Sequence, residues 1–228
     1  MSVFARLVEQ LAELLQPLFH GSAAAAAIIL FTALVRLLVH PLSRASARGQ
    51  KARAELQPKI AELRRKHGKN PEKLQRAVLE LHTEHKVSPL AGCLPSLVQA
   101  PAFFLLFHLF SSEEIGGRPN ELLGHALFTA PLGDRWSDAL SAGGAAGLVY
   151  VGLFALVAAV AFFNYRRSKV ALADSAPLDT PGAGAITKVM PFVSFFTLVT
   201  VAVVPLAAAL YVVTSSTWSA VERAVLYR

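Results

Sequence analysis

The stretch "FTALVRLLVHPL", residues 31–42, sets one arginine inside an otherwise apolar run. A charge at the centre of a bilayer costs about 2.5–3.5 kcal/mol on insertion scales, and such charges usually face a bundle interior or a water-filled cavity. The run extends back to Gly21, long enough for a membrane-spanning helix. Arg36 then falls in the half of that span nearer Pro41. Snorkelling towards headgroups is the bland alternative, and a wet cavity is the functional one. No acidic residue in the other spans presents itself as a partner for Arg36. Its charge therefore calls for water or for something that arrives.

The rest of the chain fits the same solvent. Of 228 residues, 54% are hydrophobic and only 16% charged. An ordinary soluble domain carries about 25% charged residues. Further apolar segments cover 90–110, 145–165 and the region after Val189. The last region is too long for one span, and Pro205 sits where a helix has to break. It divides into 189–204 and 206–225, with one kinked helix as the alternative. The expected architecture is an all-α integral membrane protein. Five transmembrane helices (21–42, 90–110, 145–165, 189–204 and 206–225) would form a small bundle with a basic, wet pocket in its cytoplasmic half.

Basic residues set the orientation, because cytoplasmic loops carry the excess of Lys and Arg. With five spans, 18 Lys and Arg fall on one side and three on the other. With a single kinked last helix the division is 16 against five. Either way the N-terminus is outside and the basic connections are cytoplasmic; five spans also put the short 226–228 tail there. The 43–89 connection alone carries net charge +7, while the 111–144 outer loop carries −3. The 166–188 loop is the second cytoplasmic connection. No cleavable signal peptide is evident, and the lone Cys93 excludes an intramolecular disulfide.

Residues 1–20 place Val3, Phe4, Leu7, Val8, Leu11, Leu14, Leu15 and Leu18 at helical spacing, as in an amphipathic helix lying in the interface. The alternative is an extension packed on the bundle. Residues 43–89 form a helical hairpin. Leu56, Ile60 and Leu63 line one helix, and Leu74, Val78 and Leu81 line the other, in the manner of an antiparallel seam. Gly68-Lys69-Asn70 is the turn, with Asn70 capping the second helix and Pro71 at its first position. The exposed basic residues Arg64, Arg65, Lys66 and Lys69 face anionic headgroups, incoming polypeptide or the translation machinery.

Three polar surfaces stand out: Thr32 with Arg36, Gln99 in the proline-broken second span, and Tyr211 with Ser215 and its neighbours in the last, which either completes a cavity with Thr32 and Arg36 or packs helix on helix. Phe103, Phe104 and Phe107 give the second span a greasy face for lipid or another helix. No nucleotide loop or metal-ligand spacing appears, since His82 and His85 are too close for helical pairing. No cofactor is expected. His40 and His108 lack evident partners, which argues against an intramembrane enzyme. A small anion or solute transporter using Arg36 is the rival reading, weakened by the absence of an internal repeat.

Three stretches now carry a resemblance: "TALVRLLVHPL", "KVSPLAGCLPSLVQAPAFFLLF" after "LQPKIAELRRKHG", and "PLAAALYVVTSSTWSAVERAVLYR". In that order they are similar to the membrane protein insertases of the YidC/Oxa/Alb family, over roughly residues 22–110 and 188–228. The resemblance implies five core spans in a bacterial cell membrane, N-terminus out and C-terminus in. It also implies that the five helices surround a hydrophilic groove open to the cytoplasm and to lipid but closed on the outside, and that the protein works without nucleotide, alone or beside the Sec translocon. Its substrates are nascent membrane proteins, delivered into lipid; ribosome contact is a further implied partnership, and no specific nucleic acid is. Arg36 matches the groove arginine, Gln99 a groove glutamine and Thr32 a position near substrate. Val212 departs from the aromatic common after the final-span tyrosine.

Overall fold

The computed structural model describes residues 2–68, 70–85, 87, 104, 107–115, 117–173 and 189–226. Helix α1 (Ser2–Phe19) leads through a 3-10 turn (His20–Ser22) into α2 (Ala23–Glu55). Helices α3 (Gln57–His67) and α4 (Pro71–Glu84) follow. Two small antiparallel ribbons come next: β1 (Glu114–Ile115) with β2 (Arg118–Pro119), and β3 (Ala126–Leu127) with β4 (Ala130–Pro131). Then come α5 (Trp136–Ala142), α6 (Ala145–Ala173), a 3-10 turn (Met190–Phe195), α7 (Phe196–Val203) and α8 (Leu206–Leu226).

Among the described residues, two helical stretches, Arg6–Ala52 and Ala145–Val170, are long and apolar enough to cross a membrane; Pro191–Val203 is a shorter apolar one. Helix α8 has 21 residues, about 31 Å at 1.5 Å per residue, but its second half is polar. Most of the 90–110 segment lies outside the described residues. Large apolar side chains cover the outside of α2 and α6: Leu34, Leu37, Leu38, Leu148, Val151 and Phe162 are all exposed. In water such a surface would be an association site; against lipid chains it is the matching solvent.

Two helices overrun the segments expected from hydropathy. Helix α2 passes through Pro41 and continues to Glu55, so the apolar run and the start of the basic connection are one rod. Pro41 removes one backbone donor within it. Helix α6 continues past 165 to Ala173, and Arg166 and Arg167 fold over the Phe162 and Phe163 rings near its apolar limit.

The apolar stripe of α1 is split between two surroundings. Val8 and Ala12 are buried and Leu11 and Leu15 pack on the core, while Leu7, Leu14 and Leu18 are exposed. One flank of α1 therefore belongs to the bundle, as the packed alternative requires, and the other remains free to meet an interface.

The core joins α1, α2, α6 and α8. Small residues let the helices approach closely, as in membrane bundles: Ala24, Ala25 and Ala27 on α2, and Ala207, Ala208 and Ala209 on α8, are all buried. Pro205 separates α7 from α8. Val204 is extended (φ −85°, ψ 157°), and α8 starts immediately afterwards. Its first amides are taken by the outer loop: Leu206 N–H donates to Asp134 C=O at 2.8 Å and Ala207 N–H to Leu132 C=O at 2.9 Å. The loop is pinned further by Tyr150 Oη donating to Asp134 C=O at 2.6 Å, and by the Trp136 ring on Tyr150 and Phe154. Gly143 (φ 68°) and Gly144 (φ 82°) make the left-handed corner between α5 and α6, a conformation that side chains resist.

The α3–α4 hairpin packs through Leu56 and Ile60, buried, with Leu63, Leu74, Val78 and Leu81 half-buried around them. Asn70 caps α4, its Oδ1 accepting from Lys73 N–H at 3.1 Å. Gly68 ends α3 in ordinary helical geometry, not in the left-handed form.

Candidate functional site

Helices α2 and α8 run in the same direction, and two polar contacts join them. Arg36 Nε donates to Ser215 Oγ at 3.1 Å, and its Nη2 donates to the Ser215 carbonyl at 3.1 Å as well as to Oγ. One turn further along α2, His40 Nδ1 lies 2.5 Å from Glu222 Oε1. The sequence reading found no acidic partner in another span and no partner for His40. Glu222 of the last helix pairs with His40 and lies near Arg36, so that one turn of α2, from Arg36 to His40, faces two turns of α8, from Ser215 to Glu222. The signal was present in "SAVERAVL", where Glu222 lies two turns beyond Ser215 on α8.

Ser215 takes two of the guanidinium's nitrogens, and the Glu222 carboxylate lies close enough to act on its charge. The pocket beside it keeps a positive character, reinforced by Arg223. Its volume is about 340 Å³, room for about eleven waters at some 30 Å³ each. Helix α6 contributes Val157, Val160, Ala161 and Asn164; Ser194 precedes α7 and Thr197 lies on it; α8 supplies Val212, Val213, Ser216, Thr217 and Ser219. Both long helices thus mix apolar side chains with polar ones, an amide on α6 and hydroxyls on α8. Asn164 Oδ1 and Thr217 Oγ1 are buried and have no hydrogen-bond partner among the described residues. A buried polar group left so costs about 1–3 kcal/mol.

Of the residues singled out from sequence, Arg36 and Ser215 meet directly and both line the pocket. Tyr211 lies one turn before Ser215, buried, with its ring 6.1 Å from that of Phe110. Thr32 is one turn before Arg36 but is not a lining residue; its hydroxyl donates to the Ile28 carbonyl at 2.7 Å. Phe104 is exposed, while Phe107 packs against the core. Gln99, Phe103 and Lys69 lie outside the described residues. Arg65 and Lys66 are exposed and Arg64 is half-buried, all in the last turn of α3; among the described residues, none of the hairpin lines the pocket. Sequence reasoning missed Asn164, Ser194, Thr197 and Ser219. Asn164 ends an apolar run, Ser194 and Thr197 are isolated polar residues among apolar ones, and Ser219 is one of several polar residues in α8, so only the packing shows that they converge.

A family model described as 60Kd inner membrane protein matches residues 15–228. The chain belongs to that family. Membership and the apolar helices together make it a helical membrane protein. Among curated relatives, one from Magnetococcus marinus is 48% identical over 94 residues, covering 41% of this chain and 17% of the relative. One from Clostridium perfringens is 38% identical over 117 residues, 51% of this chain and 46% of the relative. One from Anaeromyxobacter sp. (strain Fw109-5) is 47% identical over 81 residues, 36% of this chain and 15% of the relative. All three are named "Membrane protein insertase YidC". The matched stretches span less than half the length of each relative.

Proposed function

We propose that this family member is a membrane protein insertase of the bacterial inner membrane. It takes hydrophobic segments and short hydrophilic tails of nascent proteins from the cytoplasm into the bilayer, without nucleotide. The observation that carries this reading is Arg36, seated on a neutral serine in a polar pocket among otherwise apolar helices. The insertase names of the relatives support it. Five spans, N-terminus out and C-terminus in, put the pocket mouth and the α3–α4 hairpin on the cytoplasmic side. The Sec translocon and the ribosome are partners in this reading.

The mechanism follows from the pocket. A carboxylate 4 Å from a guanidinium gains about 1 kcal/mol in water and about 4 kcal/mol at the effective dielectric of a protein surface. An acidic tail is therefore held in the pocket more firmly than in bulk solvent, and its path through hydrocarbon is shortened. The attached apolar segment passes along the second span into lipid, over the exposed Phe104; Phe107, packed against the core, backs that surface rather than contacting substrate. Burial of its surface contributes about 25 cal/mol per Å², which drives release.

The test is insertion into proteoliposomes of a single-span protein with an acidic N-terminal tail, scored by protease protection. Wild type and Arg36→Lys should insert, and Arg36→Ala should fall more than tenfold. Equal activity in all three would sink charge capture; no activity in wild type would sink the insertase reading for this chain acting alone.

A further inference from the structure

Two groups in the pocket are left unexplained by capture of charge. Asn164 on α6 and Thr217 on α8 both line it, and in each a buried oxygen lacks a partner among the described residues. Elsewhere in this chain, helical hydroxyls turn back on their own backbone. Thr32 donates to Ile28, Ser111 to Phe107, Thr200 to Phe196 and Ser219 to Ser215, each to the carbonyl four residues earlier. Thr217 does not, although Val213 offers the equivalent carbonyl. Native structures complete nearly all buried polar groups, so an exception asks what else completes it. The neighbouring Val157, Val160 and Val213 side chains are apolar and cannot.

The chemistry of the pair narrows the ligand. Neither group is charged, so neither selects acidic residues. A carboxamide and a hydroxyl each offer a donor and an acceptor. That is the complement of a peptide unit, which every residue except proline presents as one N–H and one C=O. We propose that Asn164 and Thr217 hydrogen-bond the main chain of the hydrophilic segment in transit, a contact indifferent to its sequence, while Arg36 takes its carboxylates. The proposal rests on the insertase reading. It assigns the site a second class of substrate: tails that are polar but uncharged.

The experiment uses two single-span substrates in proteoliposomes, differing only in a tail of equal length that is either acidic or a neutral Ser/Asn mixture. The protein is wild type, Arg36→Ala, or the shape-conserving double variant Asn164→Leu with Thr217→Val. The double variant should translocate the neutral tail at least tenfold more slowly and the acidic tail less than threefold more slowly. Arg36→Ala should show the opposite preference. A third substrate, whose neutral tail is mostly proline, lacks main-chain donors, and on it wild type should lose its advantage over the double variant. The unfolding midpoint of the double variant in detergent should hold or rise, because apolar groups of the same shape replace unpaired polar ones.

Wild-type rates on the neutral tail in the double variant would overturn the proposal and leave water as the partner of both groups. Equal slowing of both tails, or a lowered midpoint, would overturn it in favour of a structural role. Wild type that moves neither tail would remove the insertase reading itself, and the proposal with it.

Discussion

Ser215→Ala tests whether the α2–α8 contact is a charge-assisted tie. The substitution deletes the oxygen that receives Arg36 Nε at 3.1 Å and leaves the Ser215 carbonyl 3.1 Å from Nη2. Hydrogen bonds to charged groups are worth about 1.5–3 kcal/mol. With the carbonyl bond surviving, the loss should be at the lower end, about 1.5 kcal/mol. For a chain of this size each kcal/mol moves Tm by about 2–4 °C, so the midpoint in detergent should drop by about 3–6 °C. In an Arg36→Ala background the same serine substitution should cost almost nothing. Neutral bonds between membrane helices average about 0.6 kcal/mol, so a coupling above about 1 kcal/mol marks the charge. Independent sites add to within about 0.3–0.5 kcal/mol; a coupling inside that band, measured by a double-mutant cycle, would refute the tie.

Asn120 Nδ2 donates to the Leu109 carbonyl at 2.8 Å and the Ser112 carbonyl at 2.9 Å, so Asn120→Ala should cost about 1–3 kcal/mol and speed proteolysis within 113–142. Asn70→Ala removes the cap of α4, worth about 1 kcal/mol, and amide exchange in the first turn of α4 should accelerate about fivefold. Ala208 is fully buried where α8 enters the core, and Ala208→Leu should destabilise by at least about 1–3 kcal/mol, seen as a lower midpoint or loss of folded protein in detergent. Ala224→Leu, near the exposed end of α8, is the control and should leave the midpoint within about 2 °C.

What the sequence disclosed was whatever is local. Pro205 marked in the sequence a place for a break or a kink, and the structure makes it a break between α7 and α8, whereas α2 carries Pro41 inside one rod. Asn70-Pro71 announced a helix start, and the seam of α3 and α4 showed in its spacing. The pairing of Arg36 with Ser215 was not readable, because 179 residues separate them and nothing local distinguishes Ser215 from Ser216. The same holds for Asn164, which looks in the sequence like the polar end of an apolar run. The length of α2 was misjudged for another reason. Hydropathy falls after Leu42, but helix propensity does not, and "SRASARGQKARAE" keeps the rod going into polar surroundings. Hydropathy marks where a chain changes solvent, and hydrogen bonding marks where a helix stops.

The amides at the start of α8 have a further consequence. Because they are bonded to the outer loop, and because Leu132, Val201, Leu206 and Ala207 are fully buried around that junction, the described residues are close-packed at this end of the bundle, whereas the pocket is polar. In the proposed orientation the pocket carries the electrical potential of the cytoplasm inwards as far as Arg36. The membrane voltage then falls mainly across the remaining close-packed layer. One elementary charge crossing 100 mV exchanges about 2.3 kcal/mol whatever the distance, but here the distance is shortened and the field correspondingly steep. In the proposed function, with the cell interior negative, a carboxylate leaving Arg36 for the outer side would be pushed along that field.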